Sequence, residues 1–297
     1  LNFGSCNIDY VYSLDHIVMP GETETTHRLE TFPGGKGLNQ SIALAKAGAE
    51  VYHAGCIGND GKILIDILEE NGVDISFTKR VDTKNGHAII QVSQEGENSI
   101  FLYPGSNNMV SKDFIDLVLK NFREGDILLL QNEISNIDYL IEEAHKKNMC
   151  IILNPSPFND EIKKIDFNKL SYIILNELEM KDITGYENYK DGLDFLRKKY
   201  SDLKIMLTLG VNGCVYVEKN IELNQKAFEV KAIDTTAAGD TFTGYFIEGI
   251  SKCNDYAEIL KIASAASAIA VSRKGAAPSI PDKNEVLISI ENLKERC

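Results

Sequence analysis

Short apolar runs alternate with longer amphipathic stretches through most of the chain. The apolar runs predict strands over residues 2–7, 51–57, 127–131, 150–154, 172–175 and 205–209. Apolar positions at helical spacing predict helices over residues 37–47, 61–71, 112–122, 137–147, 191–200, 238–250 and 256–271. Regular alternation of strand and helix is typical of an α/β fold with a largely parallel sheet flanked by helices.

Two segments depart from this alternation. Residues 10–32 contain short strand-like pieces without a helical pattern, and residues 87–103 read as a hairpin around a polar turn at 95–98. We expect these segments to form a small β-sheet apart from the main one. Inserted into an α/β body, such a sheet would either cover a cleft or present an edge to a partner, because exposed strand edges need pairing or protection.

Composition and charge narrow the classes of partner. The chain has 297 residues, of which 43% are hydrophobic and 25% charged, as in ordinary globular proteins. Its 31 basic and 44 acidic residues give a net charge of −13. Because nucleic acids and anionic membranes are bound largely through Lys and Arg, this charge argues against both as partners. An anionic small molecule is still compatible, since helix N-termini hold phosphate locally.

The chain carries no signal that points to a membrane or an oxidising compartment. No apolar run approaches the ~20 residues that span a bilayer, and the N-terminus shows no signal-like segment, so we expect a cytoplasmic protein. The six cysteines form no C-x-x-C pair and have no His at zinc-ligand spacing. We therefore expect reduced and mostly buried thiols.

A glycine-rich turn at residues 34–40, Gly-Gly-Lys-Gly-Leu-Asn-Gln, opens the first predicted helix. Glycines let a ligand approach the backbone, Lys36 supplies a positive donor, and the Asn39 amide can contact vicinal hydroxyls. A simple turn before a helix explains the same residues equally well. Neither the G-x-G-x-x-G fingerprint nor the G-x-x-x-x-G-K-[ST] P-loop occurs here, which excludes the commonest nucleotide-binding folds.

A second stretch, residues 234–242, places small residues at the start of an apolar helix. Ala237, Ala238 and Gly239 would leave unpaired N–H groups and the positive end of the helix dipole facing open space, which predicts an anion hole. Asp240 beside this hole could take a proton from a hydroxyl that attacks a phosphoryl group. The alternative is an ordinary acidic residue that complements the dipole in the first turn.

Together the two stretches resemble the two signatures of the ribokinase-like (PfkB) carbohydrate kinase family. The first covers residues 34–58, with Gly35, Gly37, Asn39, Ser41, Gly48 and Gly58 at matching offsets, and the second covers 234–240. Further matches lie at 4–9, 20–23, 176–179, 208–213 and 273–279. The resemblance spans essentially the whole chain, and the GGKG-x-NQ and RKGA-x-PS forms look most like the ribokinases within the family. It implies a single α/β kinase domain over 1–297, with a lid formed by two inserted segments, 10–32 and 86–103.

The resemblance implies an ATP-dependent kinase acting on a primary hydroxyl of a sugar. Asp240 would be the base, and the amides of Ala237, Ala238 and Gly239 would stabilise the phosphoryl oxygens. D-ribose, giving D-ribose 5-phosphate, is the expected acceptor. Fructokinase, another ketose kinase or a nucleoside kinase are alternatives inside the family, and a non-catalytic sugar sensor is an alternative outside catalysis.

Roles for further residues follow from the same resemblance. The sugar would be bound by Asn7, Asp9, Gly35, Lys36, Gly37, Asn39, Glu133 and Asp240. The adenine nucleotide would be bound by Asn176, Thr208, Gly210, Val211, Gly213, Gly239 and Ser264. Magnesium would be held near Glu179, and an activating potassium ion by Asp234, Thr236, Ala270, Arg273, Gly275 and Ser279. Turn or helix-cap roles are the alternative for the Asn, Asp and Glu residues among them.

Two positions depart from the family pattern, and one partner is implied. Ser264 stands where ribokinases often carry His or Asn near the adenine, which puts that contact in question. Tyr245 stands where the second signature has a small residue, and we expect altered packing rather than lost activity.

Because two lids clasp each other in this family, the resemblance also implies a homodimer through the lid sheet.

Overall fold

A computed structural model describes residues 1–252 and 255–296 of the protein. Its strands are β1 Asn2–Phe3, β2 Asn7–Ser13, β3 Arg28–Gly34, β4 Tyr52–Ile57, β5 Asp74–Arg80, β6 Gly86–Val92, β7 Asn98–Tyr103, β8 Ile127–Gln131, β9 Cys150–Asn154, β10 Tyr172–Asn176, β11 Lys204–Thr208, β12 Cys214–Glu218 and β13 Ile221–Gln225. Its α-helices are α1 Lys36–Ala47, α2 Lys62–Glu70, α3 Lys112–Leu119, α4 Ile137–Lys146, α5 Glu177–Thr184, α6 Tyr189–Lys199, α7 Ala238–Ser251, α8 Tyr256–Val271 and α9 Lys283–Ser289.

The main sheet has the strand order β13-β12-β11-β10-β9-β8-β1-β4-β5. Strands from β5 to β11 pair in parallel, and β12 and β13 add an antiparallel hairpin at one edge. Successive residues of the central strands alternate between two cores. In β9, for example, Ile152 joins the core with α1, α7 and α8, whereas Ile151 and Leu153 join the core with α3, α4 and α6. The predicted α/β fold with a largely parallel, helix-flanked sheet is confirmed.

A separate sheet contains four strands in the order β3-β2-β6-β7. Strand β2 pairs antiparallel with β3 and parallel with β6, and β6 and β7 form the predicted hairpin. The prediction of a small second sheet is therefore confirmed. Alternate residues of its strands, such as Asp9, Phe32, Ala88 and Leu102, line the cavity described below, because side chains on a strand alternate between its faces.

The single strand predicted over residues 2–7 is wrong. The chain leaves the main sheet after Phe3 and enters the small sheet at Asn7, so the apolar run serves two sheets. Five further elements were not predicted: strand β5, the two strands of the β12–β13 hairpin, and helices α5 and α9. Strands β5 and β13 are the edges of the main sheet and are largely exposed, so their sequences lack the apolar runs of the central strands.

Neither the helices nor the cysteines indicate a membrane span or a disulfide in the described part. No helix within residues 1–252 or 255–296 is long and apolar enough to cross a membrane. Cys6, Cys56, Cys150 and Cys214 are free thiols, and all but Cys150 are buried. The expectation of reduced and mostly buried thiols also included Cys253 and Cys297, which lie outside the described residues.

Candidate active site

A cavity of about 1050 Å³ lies where the carboxyl ends of the central strands face the small sheet. Asn154 ends β9, Asn176 ends β10 and Thr208 ends β11, and Glu133 follows β8 closely. This edge is where parallel α/β sheets bind their ligands. Of the residues with a predicted site role, the lining includes Asn7, Asp9, Gly35, Lys36, Asn39, Glu133, Asn176, Glu179, Thr208, Asp234, Thr236, Ala237, Ala238, Gly239, Asp240 and Gly275.

The glycine-rich turn is held against the connection between the two sheets. A Cβ atom at Gly37 would collide with the backbone of Ser5, so only glycine lets α1 start at this place. The Leu38 N–H donates to the Ser5 carbonyl at 2.8 Å. Gly37 itself is buried under the cavity, whereas Lys36 and Asn39 line it. Gly37 therefore lies beneath the site and does not line it.

Two carboxyl groups, Asp9 and Glu133, face the cavity near this turn. Glu133 Oε2 accepts hydrogen bonds from the Ser5 hydroxyl and from the Lys36 N–H at 2.9 Å. Burial raises the pKa of Glu133, and burial followed by repulsion from Glu133 raises the pKa of Asp9 to about 7. Burial alone would lower the pKa of Lys36, but the carboxylates of Asp240, Glu133 and Glu179 outweigh it and the net shift is upward. The positive charge of Lys36 is thus stabilised by the negative charges of these three carboxylates.

Asp240 lies in the first turn of α7 and is only 6% exposed. Its Oδ2 accepts a hydrogen bond from Asn39 Nδ2 at 3.1 Å, and its Oδ1 accepts one from Gln40 Nε2 at 2.8 Å. Helices α1 and α7 approach closely, because a Cβ atom at Gly244 would collide with the Cβ of Ala43. The structure therefore joins the two sequence stretches by direct hydrogen bonds between residues 200 and 201 positions apart.

The turn before α7 opens onto the cavity. Ala237 has a φ of 60°, in the left-handed region that a non-glycine residue adopts at a cost. A Cβ atom built on Gly239 would meet nothing within 4 Å, so the backbone here faces open space. The first N–H groups of a helix have no intrahelical acceptor. The Ala238 N–H, however, donates to the Thr235 carbonyl at 3.2 Å, so of the three predicted amides this one is engaged within the turn.

Of the predicted nucleotide residues, Asn176, Thr208 and Gly239 line the cavity, whereas Gly210, Val211, Gly213 and Ser264 do not. Asn176 and Glu179 form a capping box at the start of α5: Glu179 N donates to Asn176 Oδ1 at 2.9 Å, and Asn176 N donates to Glu179 Oε2 at 3.0 Å. Thr208 lines the cavity, and Gly210, Val211 and Gly213 form the turn after it. Ser264 does not line the cavity; it lies on α8 with its hydroxyl 3.7 Å from the Cys214 sulfur.

The predicted potassium residues surround the loop that precedes α7. Asp234 accepts hydrogen bonds from the N–H groups of Thr236 and Gly275, each at 2.9 Å. Burial opposes ionisation of Asp234, but these hydrogen bonds outweigh it and its pKa is lowered. Ala270 and Arg273 lie at the end of α8, and the Ser279 hydroxyl donates to the Ala276 carbonyl at 2.8 Å. Within 1–252 and 255–296, no three His, Cys, Asp or Glu side chains form a metal-binding cluster on their own.

Sequence reasoning missed a set of side-chain amides, of which Gln40 and Gln131 are fully buried and the half-buried Asn154 lines the cavity. Gln40 belongs to the quoted glycine-rich stretch, but no role was predicted for it, and Gln131 and Asn154 end two central strands. The available signal was a polar side chain in an otherwise buried helix or strand, since such groups need partners.

Tyr245, which departs from the family pattern, is 2% exposed and donates to the Pro281 carbonyl at 2.7 Å.

The chain was compared with known families and structures. The sequence model of the family described as pfkB family carbohydrate kinase matches residues 1–283. Ribokinase of Haemophilus influenzae is 35% identical over 303 residues, which cover 97% of each chain. The crystal structure of ribokinase from Thermotoga maritima is similar with a TM-score of 0.88 and 36% identity, covering 98% of both chains. The structure of Arabidopsis thaliana ribokinase complexed with ribose and ATP is similar with a TM-score of 0.85 and 27% identity, covering 98% of this chain and 97% of that one.

Proposed function

The chain belongs to the pfkB family of carbohydrate kinases, and from this premise we propose that it transfers the γ-phosphoryl group of ATP to the primary hydroxyl of D-ribose. The products would be D-ribose 5-phosphate and ADP. The observation that carries the proposal is Asp240, a buried carboxylate held by the glycine-rich turn at the start of α7 and facing the cavity. The similarity to ribokinases along nearly the whole chain supports ribose as the acceptor.

The sugar would lie between the glycine-rich turn and the small sheet. Asp9 and Glu133 can accept hydrogen bonds from its hydroxyls, and bonds to a charged acceptor are stronger than neutral ones. Asn39 donates to Asp240 through Nδ2. Its buried Oδ1 has no hydrogen-bond partner among the described residues, so it is available to a sugar hydroxyl. Asn7 and Lys36 line the same part of the cavity.

Phosphoryl transfer would take place between Asp240 and the start of α7. Asp240 accepts the proton of the attacking hydroxyl, which makes the oxygen a better nucleophile. The free N–H groups and the dipole of α7 stabilise negative charge on the transferred group without reorganising. The small sheet covers the sugar and excludes water, which would otherwise compete as the acceptor.

The donor atoms in the cavity and around the loop before α7 fit magnesium and potassium, the two metal ions that the family resemblance implies. Glu179 is a carboxylate beside the proposed phosphate position, and magnesium is bound in such sites by one or two carboxylates together with substrate phosphates. Asp234, Thr236 and Ser279, with the carbonyls of Ala270, Arg273 and Gly275, supply only oxygen atoms, which suits potassium. When bound, magnesium would neutralise phosphate charge, and potassium would order the loop before α7. The cytoplasmic location stays a prediction.

A panel of acceptors tests the proposed substrate. With ATP, magnesium and potassium present, we expect ADP release with ribose to exceed release with fructose, deoxyribose and adenosine by at least tenfold in kcat/KM. A blank without sugar measures ATP hydrolysis. Faster turnover of another acceptor would replace ribose and keep the kinase mechanism, whereas sugar binding without any turnover would support the non-catalytic sensor.

We further propose that the protein forms a homodimer through the small sheet. Strand β7 is an edge strand, and its residues 100–103, Ile-Phe-Leu-Tyr, are all about half exposed. A long apolar edge of this kind is normally covered by another chain or element. A second copy of the chain presents the same apolar strand and would bury both edges at once.

Sedimentation of a single substitution tests this interface. We expect the wild-type protein to sediment as a dimer and Ile100→Glu to shift it toward the monomer, because a charge would enter the apolar contact. Ile221→Glu is the matched control: Ile221 is 48% exposed, close to the 53% of Ile100, but it lies on the edge of the main sheet. A monomeric wild type, or a dimer that Ile100→Glu leaves intact, would contradict the proposal.

A further inference from the structure

A buried chain of side-chain amides leads from β1 to Asp240. Its members are Asn2, Gln131 and Gln40, each with no exposed surface. Gln131 Nε2 donates to Asn2 Oδ1 at 2.9 Å and to Gln40 Oε1 at 2.6 Å. Gln40 Nε2 then donates to Asp240 Oδ1 at 2.8 Å. This amide chain joins β1, β8 and α1 to Asp240, the proposed base.

Backbone carbonyls fix the direction of these hydrogen bonds at the end far from Asp240. Asn2 Nδ2 lies 2.7 Å from the Gly37 carbonyl oxygen, which can only accept. The NH₂ group of Asn2 must therefore face Gly37, and its Oδ1 must face Gln131. Gln131 consequently presents its NH₂ group to Asn2, and the same NH₂ group meets the oxygen of Gln40.

A second carbonyl fixes the other neighbour of Gln40. Asn154 Nδ2 donates to the Ile174 carbonyl at 2.9 Å, so Asn154 Oδ1 is an acceptor. Gln40 Nε2 donates to this oxygen at 3.1 Å. With one hydrogen directed to Asn154, the other hydrogen of Gln40 is directed to Asp240. Asp240 Oδ1 can therefore only accept at this contact.

The arrangement leaves one buried acceptor unused. Gln131 directs both hydrogens into the chain, and its Oε1 has no hydrogen-bond partner in the part of the protein that is described. Unpaired buried polar atoms are rare because they destabilise the fold. Turning Gln131 over would place its Oε1 against the oxygens of Asn2 and Gln40, which are also acceptors. The chain thus keeps its direction toward Asp240 despite the unused atom.

From this geometry we infer that Gln40 is a positioning residue for the base, and that the proton of the sugar hydroxyl goes to Oδ2 of Asp240. The inference rests on the proposed function. As the hydroxyl oxygen bonds to the γ-phosphorus, the bond from that phosphorus to the bridging oxygen breaks and ADP leaves. The hydroxyl proton moves to Oδ2, because Oδ1 accepts the shorter hydrogen bond, from Gln40 at 2.8 Å, and Oδ2 the longer one, from Asn39 at 3.1 Å. Among the described residues each oxygen accepts one side-chain hydrogen bond, and the more weakly held Oδ2 is the more basic of the two.

The test replaces Gln40 with an unbranched side chain of the same length that cannot donate. For Gln40→Met we expect kcat with ribose to fall by about 10- to 100-fold, while the calorimetric Kd for ribose changes less than about threefold. Gln131→Met removes the donor to Gln40 Oε1. We therefore expect it to lower kcat by a smaller factor than Gln40→Met does, again with little change in the Kd for ribose. It serves as the second variant if Gln40→Met does not fold.

A double mutant separates positioning from general structural damage. If Gln40 acts through Asp240, Gln40→Met should cause no further loss of kcat in an Asp240→Asn background. Tyr245→Phe is the matched control, since it also removes a buried hydrogen bond from α7 but lies outside the amide chain. We expect it to lower Tm and to leave kcat unchanged.

The outcomes separate this inference from the proposed function. No transfer to ribose by the wild-type enzyme would overturn the proposed function. Normal transfer by the wild type together with a normal kcat for Gln40→Met would overturn only the role of Gln40. Loss of kcat that is additive with Asp240→Asn, or matched by Tyr245→Phe, would overturn it as well.

Discussion

Asp240→Asn should lower kcat by about 10²–10⁴-fold, the range expected when a general base is removed. Asparagine has nearly the same shape but no basic oxygen. It would also place its NH₂ group against Asn39 or Gln40, both of which already donate to Asp240. The calorimetric Kd for ribose should change little, because in the proposed site Asp9, Glu133 and Asn39 would also bind the hydroxyls. Steady-state kinetics with saturating ribose and ATP gives the measurement.

A control distinguishes the base from an acid that only complements the helix dipole. Asp113 lies in the first turn of α3, as Asp240 does in α7. We expect Asp113→Asn to lower the stability slightly and to leave kcat unchanged. Near-normal turnover by Asp240→Asn would remove Asp240 from the role of base.

The second large effect is expected at Asp9, where binding and stability should change in opposite directions. Asp9→Asn should weaken ribose binding by about 10²-fold, since a hydrogen bond to a charged acceptor contributes roughly 1.5–3 kcal/mol. The same substitution should raise Tm at pH 8. In the folded protein burial and the nearby Glu133 raise the pKa of Asp9 from its ordinary 3.8 to about 7. The folded state therefore binds this proton more tightly than the unfolded state does.

The sign of the pH dependence follows from that difference. As pH rises from about 4 to about 7, the Asp9 carboxyl costs the folded protein an increasing amount of stability, and above pH 7 the cost is complete. Asp9→Asn removes this cost, so its Tm gain should be largest above pH 7 and vanish below pH 4. Ribose affinity of the wild type should fall as pH drops below 7, because the hydroxyls then lose a charged acceptor.

Calorimetry and thermal melts at pH 5, 6, 7 and 8 would measure both effects. Asp15→Asn is the control, because Asp15 also lies near the small sheet but its side chain is 51% exposed and faces His27. We expect it to change neither the ribose affinity nor Tm. Ribose affinity of Asp9→Asn equal to that of the wild type would exclude Asp9 from the sugar site, and a lower Tm at pH 8 would contradict the stability argument.

The main body could be predicted from the sequence because its central strands are apolar on both sides. Strands β8, β9 and β10 have helices on both faces, and their sequences are continuous apolar runs. Strands β5 and β13 could not be predicted in the same way, since an edge strand with one exposed side carries charged residues. The break after Phe3 was not predicted either, because residues 4–6, Gly-Ser-Cys, include neither a proline nor a charge that would mark the end of a strand.

The two turns that frame the candidate site could be predicted, because they depend on unusual backbone requirements. Glycines and small residues mark the turns before α1 and α7, and they stand out in any reading of the sequence. Gln40 and Gln131 did not stand out, since a buried amide has a role only through the partners that the fold brings to it. Their partners come from Asn2, Asn154 and Asp240, which no local pattern connects.

The hydrogen bond between Gln40 and Asp240 also bears on how the protein gains activity as it folds. The two residues are 200 positions apart, and the amides that orient Gln40 come from β1, β8 and β9. Contacts of such long sequence separation form late, because much of the chain must already be ordered before they close. A partly folded or unfinished chain therefore has no assembled base, and it cannot consume ATP before the sugar site exists.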